Sequence, residues 1–217
     1  MKKISVLTLI ITTFLISSYT GCNPKTIEPI ADTTDVDDAA DAAEVSEDDN
    51  LGLVYMREEE KLARDVYITL FGMYDNKVFD NISKAEQQHM DAILILLEKF
   101  DIEDPSLANV GEFSNEILQG LYNDLIEQGS DSEIATLIVG ATIEDLDIYD
   151  LDEFKAETTD PDIIKVYNSL TCGSRNHLRA FIRQLTNLGV TYTPQFISQE
   201  HFNSIIADDN ERCGQGN

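Results

Sequence analysis

Four stretches of this chain repeat apolar residues at alternating spacings of four and three, and each repeat is broken near its middle by a side chain that can bind a metal ion. The first line reads Met56, Glu60, Ala63, Tyr67, Leu70, and the second Ile82, Glu86, His89, Ile93, Leu96, Phe100. The third reads Leu137, Ala141, Glu144, Ile148, Leu151, with Gly140, Glu144, Asp147, Leu151 and Phe154 on a neighbouring line. The fourth is Ile163, Tyr167, Leu170, Ser174, His177, Phe181, Leu185. Such spacing gathers residues on the one helix face that a bundled helix buries. No strand-like alternation with hairpin turns accompanies it. The expected fold class is therefore all-α.

Breakers and caps set the expected boundaries. Helix one runs from about Leu51 to Gly72, and helix two from Asn81 or Ser83, as N-caps, to Phe100. Asp104-Pro105 interrupts the chain, and a shorter amphipathic helix covers about Ser114 to Gln128, ending at Gly129. Helix three runs from Ser130 or Asp131 to Ala156. Helix four has Asp160 as N-cap, Pro161 in its first position and Gly189 at its stop. A short helix after Ser198 completes the reading.

A carboxylate or imidazole among apolar neighbours is costly unless it is paired or holds a cation. Judged singly, each interruption has an ordinary explanation. Glu60 belongs to the run Glu58-Glu59-Glu60-Lys61, the kind that usually faces water, and a helical wheel puts Glu59 nearer the apolar face than Glu60. Glu144 and Asp147 lie in an acidic stretch, and a lone His177 reads as a core histidine. Together they read differently, because two of the three histidines fall at mid-length of separate buried faces. Glu86 and His89, three residues apart, lie on one face about one turn from each other. Glu-x-x-His pairs and facing glutamates are how helical bundles hold paired metal ions. Without metal these acids should repel one another, so neutralising one of them, Glu86 included, is expected to leave the metal-free protein as stable or more so.

The same residues carry a resemblance. Glu60-x-x-Ala63-Arg64-x-x-Tyr67 resembles the first helix of rubrerythrins and ferritins, and this decides for Glu60 over Glu59 as a ligand. Ala85-Glu86-x-x-His89 resembles their second helix, and Glu144-x-x-Asp147 the paired glutamates of the third, with Asp in the second place. His177 matches the histidine of the fourth-helix Glu-x-x-His, but Ser174 stands where its glutamate belongs. With REEEKLARDVY, EQQHMDAI, VGATIEDLDIYDL and GSRNHLRAF in this order, residues 51–200 look like a branch of the ferritin-like superfamily that carries a domain of unknown function. The resemblance implies a ferritin-like four-helix bundle with an additional short helix between helices two and three. It also implies iron, as a di-iron centre, or manganese held by Glu60, Glu86, His89, Glu144, Asp147 and His177. The Ser174 departure implies a weakened second metal position, for which Asp147 is the compensating candidate. The Cys-x-x-Cys pair of a rubredoxin-like module is missing.

The N-terminus reads as a targeting segment. Lys2 and Lys3 precede an apolar run, Ile4 to Ile16, too short for a membrane-spanning helix, and Tyr19-Thr20-Gly21-Cys22 resembles a lipobox with Tyr19 where Leu is usual. Residues 1–21 are thus expected to be a lipoprotein signal peptide, with Cys22 lipidated. Residues 22–50 hold ten acids and one lysine and few large apolar side chains, so they are expected to form an extended tether. The helical domain then spans 51–200 and a tail 201–217. In an exported chain Cys172 and Cys213 can pair as a disulfide, the alternative being two free thiols.

Forty-one acidic against 15 basic residues give a net charge of −26, which repels nucleic acid and attracts cations. Expected partners are metal ions, a membrane through the lipid anchor, and further copies of the chain as a homo-oligomer. The expected location is the cell envelope, outside the cytoplasm. The function this implies is metal binding, with oxidation of ferrous iron or reduction of peroxide as the activity. The alternative is a metal-dependent structural or interaction module without redox catalysis.

Overall fold

Each helix begins where a side-chain oxygen meets the free amides of a first turn. The computed structural model describes residues 45–213, and among them it contains six helices and no strand. Helix α1 (Glu47–Tyr74) is capped by Ser46, which accepts from the Asp49 amide, and its first turn carries Glu47, Asp48 and Asp49 against the positive end of the helix dipole. Helix α2 (Lys77–Lys99) starts at Asn76, α3 (Glu116–Gly129) at Asn115 and α4 (Glu133–Glu157) at Ser132. Helix α5 (Pro161–Asn187) takes Asp160 as cap and Pro161 as its first residue, and α6 (Gln199–Ala207) follows Ser198.

Two boundaries differ from the sequence reading. Helix α2 starts at Lys77, ahead of Asn81 and Ser83, because Asp75 in the left-handed region closes α1 and Asn76 at once opens α2. The extra turn is held by Phe79, which is fully buried against Tyr67 and Phe181. Helix α1 begins inside the stretch expected as tether, and α6 runs across position 200. The expected leader, the lipidated Cys22 and tether residues 22–44 lie outside the described residues.

The four long helices close a ring of contacts, α1 against α2, α4 against α5, α1 against α4 and α2 against α5, while α3 lies on α1 and α4, and α6 on α5. Apolar residues of the ring form two clusters. One is built around Tyr67, Phe79 and Phe181, the other around Leu53, Met56, Ile93 and Tyr167. On α1, α2 and α5 the polar mid-helix positions lie between them in sequence. Cys172 of α5 is joined to Cys213 by a disulfide, which fixes the segment after α6 to that helix. Glu211 reinforces it by binding Arg175 and Arg179.

Several buried charges serve the connections. Lys61, with no exposed surface, donates to Asp65, to the Asn109 carbonyl and to the Glu112 carbonyl. Glu58 accepts from the Ser114 and Asn115 amides, and Asp145 from Tyr192 and the amides of Gln195, Phe196 and Ile197. These groups are fully occupied in pinning loops onto α1 and α4, which separates them from the buried acids described next.

Candidate metal centre

Glu60 of α1, Glu86 and His89 of α2, Glu144 of α4 and His177 of α5 converge between the helices. One ligand atom each from Glu60, Glu86 and His89 lies within 4.8 Å of the other two, and the same holds for Glu86, Glu144 and His177. Glu86 belongs to both groups. Its Oε2 is 2.8 Å from His89 Nδ1 and its Oε1 is 2.8 Å from His177 Nδ1. Glu60 Oε2 stands 3.1 Å from His89 Nδ1, and Glu144 Oε2 stands 3.4 Å from His177 Nδ1. The result is two half-sites, each an imidazole and a private glutamate, joined by one shared carboxylate.

Hydrogen bonding explains part of this convergence, His89 Nδ1 being paired with Glu60 Oε2, but not all of it. Glu86 Oε1 and His177 Nδ1, though 2.8 Å apart, are not aligned as donor and acceptor, and both are buried without a hydrogen-bond partner. Glu60 Oε1 and Asp147 Oδ1 are buried and unpartnered too. Ligands bound at about 2.0–2.2 Å, with tetrahedral or octahedral angles at the metal, lie roughly 2.8–3.6 Å from one another. The observed spacings of 2.8–3.4 Å fall within that range. The buried orphan atoms, the mixed nitrogen and oxygen donors and the spacing therefore fit first-row divalent metal ions.

Charge balance within the cluster is uneven. Burial pushes Glu86 up, but His177 and His89 outweigh it and hold this carboxyl well below the ordinary range. Burial raises Glu60 to about 7, with His89 opposing and Glu86 adding to the rise. Glu144 is also raised to about 7 by burial and by Glu86, with His177 opposing. Burial disfavours the charged imidazoles, yet Glu86 and Glu144 lift His177 to about 10, and Glu60 and Glu86 lift His89 well above its usual value. In the metal-free chain protons on these groups take the place of cations.

Asp147 sits one helical turn from Glu144, and Ser174 of α5 donates a hydrogen bond to its Oδ2. Its other oxygen is unpartnered, and burial, Glu60 and Glu144 raise its proton affinity well above that of an ordinary Asp. Ser174 thus binds the aspartate opposite it on α4, whose carboxylate lies near Glu60 and Glu144.

Tyr67, Gly173 and Glu59 adjoin these ligands without being among the six to which the sequence points. Tyr67 donates to Glu144 Oε1 at 2.5 Å. Tyr167 on the α5 stripe makes no such bond, and its hydroxyl is buried without a partner. Gly173 leaves room for His89, since a Cβ there would collide with the imidazole at Nε2. A glycine in mid-helix costs about 1 kcal/mol relative to alanine, and that cost is the signal by which Gly173 could have been found. Glu59, set aside for Glu60, is 2% exposed with both carboxylate oxygens unpartnered. His201 lies on α6, half-exposed and 4.0 Å from Asp152.

Residues 49–209 match the family described as "Uncharacterized protein domain (DUF2202)". The chain is 52% identical over 169 residues to "Uncharacterized protein MJ0754" of Methanocaldococcus jannaschii, an alignment covering 77% of this chain and 91% of the relative. It is also similar to a crystal structure of MJ0754, with a TM-score of 0.76 and 51% identity over 77% of this chain and 96% of that one.

Proposed function

This chain belongs to the DUF2202 family of uncharacterized domains, and we propose that it is an exported metal-binding protein of ferritin-like four-helix architecture, with a two-ion carboxylate–histidine centre. The observation that carries the reading is Glu86, which turns one oxygen to each of two histidines at 2.8 Å. Glu60, Glu86 and His89 would hold one ion, and Glu86, Glu144 and His177 the other, with Asp147 beside both. Iron or manganese held there would supply one-electron redox chemistry toward ferrous iron or peroxide. The protein's part is to offer carboxylates of raised proton affinity that give up protons as cations arrive, to fix Glu144 through Tyr67, and to exclude water by burial.

Metal content per chain after expression with iron or manganese tests this. About two ions are expected for the parent and about one for each of His89→Ala and His177→Ala, with no change in His201→Ala. Full loading in both His89→Ala and His177→Ala would exclude the centre. The second reading, a metal-dependent structural module, is favoured by the missing Cys-x-x-Cys electron-transfer pair. A metal-loaded protein that neither oxidises added ferrous iron nor consumes peroxide would select it. Export through a lipidated Cys22 rests on the N-terminal sequence, and Cys22→Ser should release the chain from membranes. Equal partitioning of the two forms would refute it.

A further inference from the structure

The middle of α5 is a weak helix by its own sequence. Thr171, Cys172, Gly173 and Ser174 follow one another, and all four rank low in helix propensity. Thr171 bonds the Tyr167 carbonyl and Ser174 shares its hydroxyl hydrogen with the Leu170 carbonyl, back-bonds that weaken or bend a helix. Yet this stretch and the turn after it serve the centre. Gly173 lies against the His89 imidazole, Ser174 binds Asp147, and His177 belongs to a half-site. The segment after α6 holds these turns from outside. Cys213 is bonded to Cys172, and Glu211 binds Arg175 and Arg179. Asn176 exchanges hydrogen bonds with the Glu211 backbone in both directions. All of these ties fall between residues 172 and 179, the stretch that carries Ser174 and His177.

We propose that the Cys172–Cys213 bond is a redox-operated strap that sets the affinity of the His177 half-site for its ion, closed as the disulfide and opened by a dithiol. The two sulfurs differ in access, Cys213 being exposed and Cys172 only 8% exposed. One thiolate of the dithiol attacks Cys213 Sγ, the bond between the sulfurs breaks, and Cys172 leaves as a thiolate that takes up a proton. The second thiol of the reductant loses its proton and attacks the mixed disulfide, which releases Cys213 as a thiol. Two electrons and two protons pass to the protein, and the reductant ends as a disulfide. With the covalent tie gone, the segment is left with partly exposed ion pairs, which hold little by themselves. Arg175 and Arg179 lie two positions from His177, about 200° around the helix and so on its far side. A helix is about 10 Å across and the Debye length about 8 Å, so freeing these guanidiniums from Glu211 perturbs the ion little. The strap acts instead through the order of a weak helix.

This inference rests on the two-ion reading, and its test separates the two. The metal-free full chain is treated with millimolar dithiothreitol without denaturant, its thiols are capped with iodoacetamide, and the reagents are removed. Mn2+ is then titrated into the opened and the untreated chain, with free Mn2+ followed by electron paramagnetic resonance. The untreated chain should take up two tight equivalents, and the opened chain one tight equivalent and one at least tenfold weaker. Reoxidation of an uncapped sample should restore the second tight equivalent. In the metal-free protein, amide hydrogen exchange over residues 168–180 should quicken at least tenfold on opening, with α1 unchanged. A disulfide that yields only in denaturant, or an opened chain that binds both ions as tightly as before, overturns the strap and leaves the centre standing. Exchange that quickens throughout α1 as well shows general support of the fold and also overturns it. An untreated chain that binds no Mn2+ overturns the centre, and control of metal affinity with it.

Discussion

Ser174 donates its hydroxyl hydrogen to Asp147 across the α4–α5 interface, so that a short alcohol and a short acid meet at the level of the two half-sites. Both residues are buried, and the one Ser174 hydroxyl hydrogen is shared with the Leu170 carbonyl. The serine therefore reads as the partner of the aspartate. Ser174→Ala leaves a second Asp147 oxygen unsatisfied and should cost about 1–3 kcal/mol in the metal-free protein. Ser174→Glu sets another acid against Asp147 and should destabilise the metal-free chain further. Denaturant unfolding of both variants checks this, and a Ser174→Glu chain more stable than the parent without metal would refute it.

The acids of the centre should not respond alike to neutralisation. Glu86 lies between two imidazoles that hold it ionised, so Glu86→Gln removes an anion already compensated and should destabilise the metal-free protein. This reverses the expectation drawn from the sequence, which counted only repulsion among acids. Glu60, raised to about 7, is half neutral at that pH, and Glu60→Gln should be neutral or stabilising without metal. In metal content the order is different again, Glu86→Gln losing both ions and Glu60→Gln one. Melting temperatures of the two metal-free variants at pH 7 decide the first point, and equal shifts would refute it.

Metal-free stability should fall as the pH rises. Glu60 and Glu144 keep their protons up to about 7 in the folded chain against an ordinary value of 4.5. The folded state thus holds more protons, and the stability this gives is complete below about pH 4.5 and lost as the pH passes 7. His177, raised from 6.5 to about 10, extends the loss into alkaline solution. Glu86 acts oppositely, and its contribution disappears only in strong acid. Bound cations replace the protons, so the melting temperature of loaded over metal-free protein should widen between pH 5 and 9. A metal-free melting temperature that is level or rising over that range would contradict this.

Gly173→Ala sets helix propensity against the centre. Alanine in mid-helix gains about 1 kcal/mol, but a Cβ at this position collides with His89. The overpacking costs about 1–3 kcal/mol and turns the imidazole away from Glu60 and Glu86. Metal content should fall by about one ion, with the His177 half-site retained. Full loading with both ions would show that the contact is tolerated.

The sequence by itself determined the helices and the face each one buries. Caps such as Asp160-Pro161 and stripes such as Met56 to Leu70 are local, acting through bonds and spacings a few residues long. It also singled out Glu86, His89, Glu144, Asp147 and His177, because a charged group in an apolar stripe is visible without knowing what lies opposite, whereas Glu60 was preferred to Glu59 only through the resemblance of Glu60-x-x-Ala63-Arg64-x-x-Tyr67. Only the tertiary structure decided what each buried charge does. Glu58, Glu59 and Glu60 are consecutive and all buried, yet Glu58 caps amides, Glu60 faces His89 and Glu59 has no partner. Successive helix positions differ in direction by about 100°, so which neighbour each one meets depends on packing among helices distant in the chain. The sharing of Glu86 between two histidines and the pairing of Ser174 with Asp147 have the same origin. They are distances across helix interfaces, and such distances exist only once the helices have closed on one another.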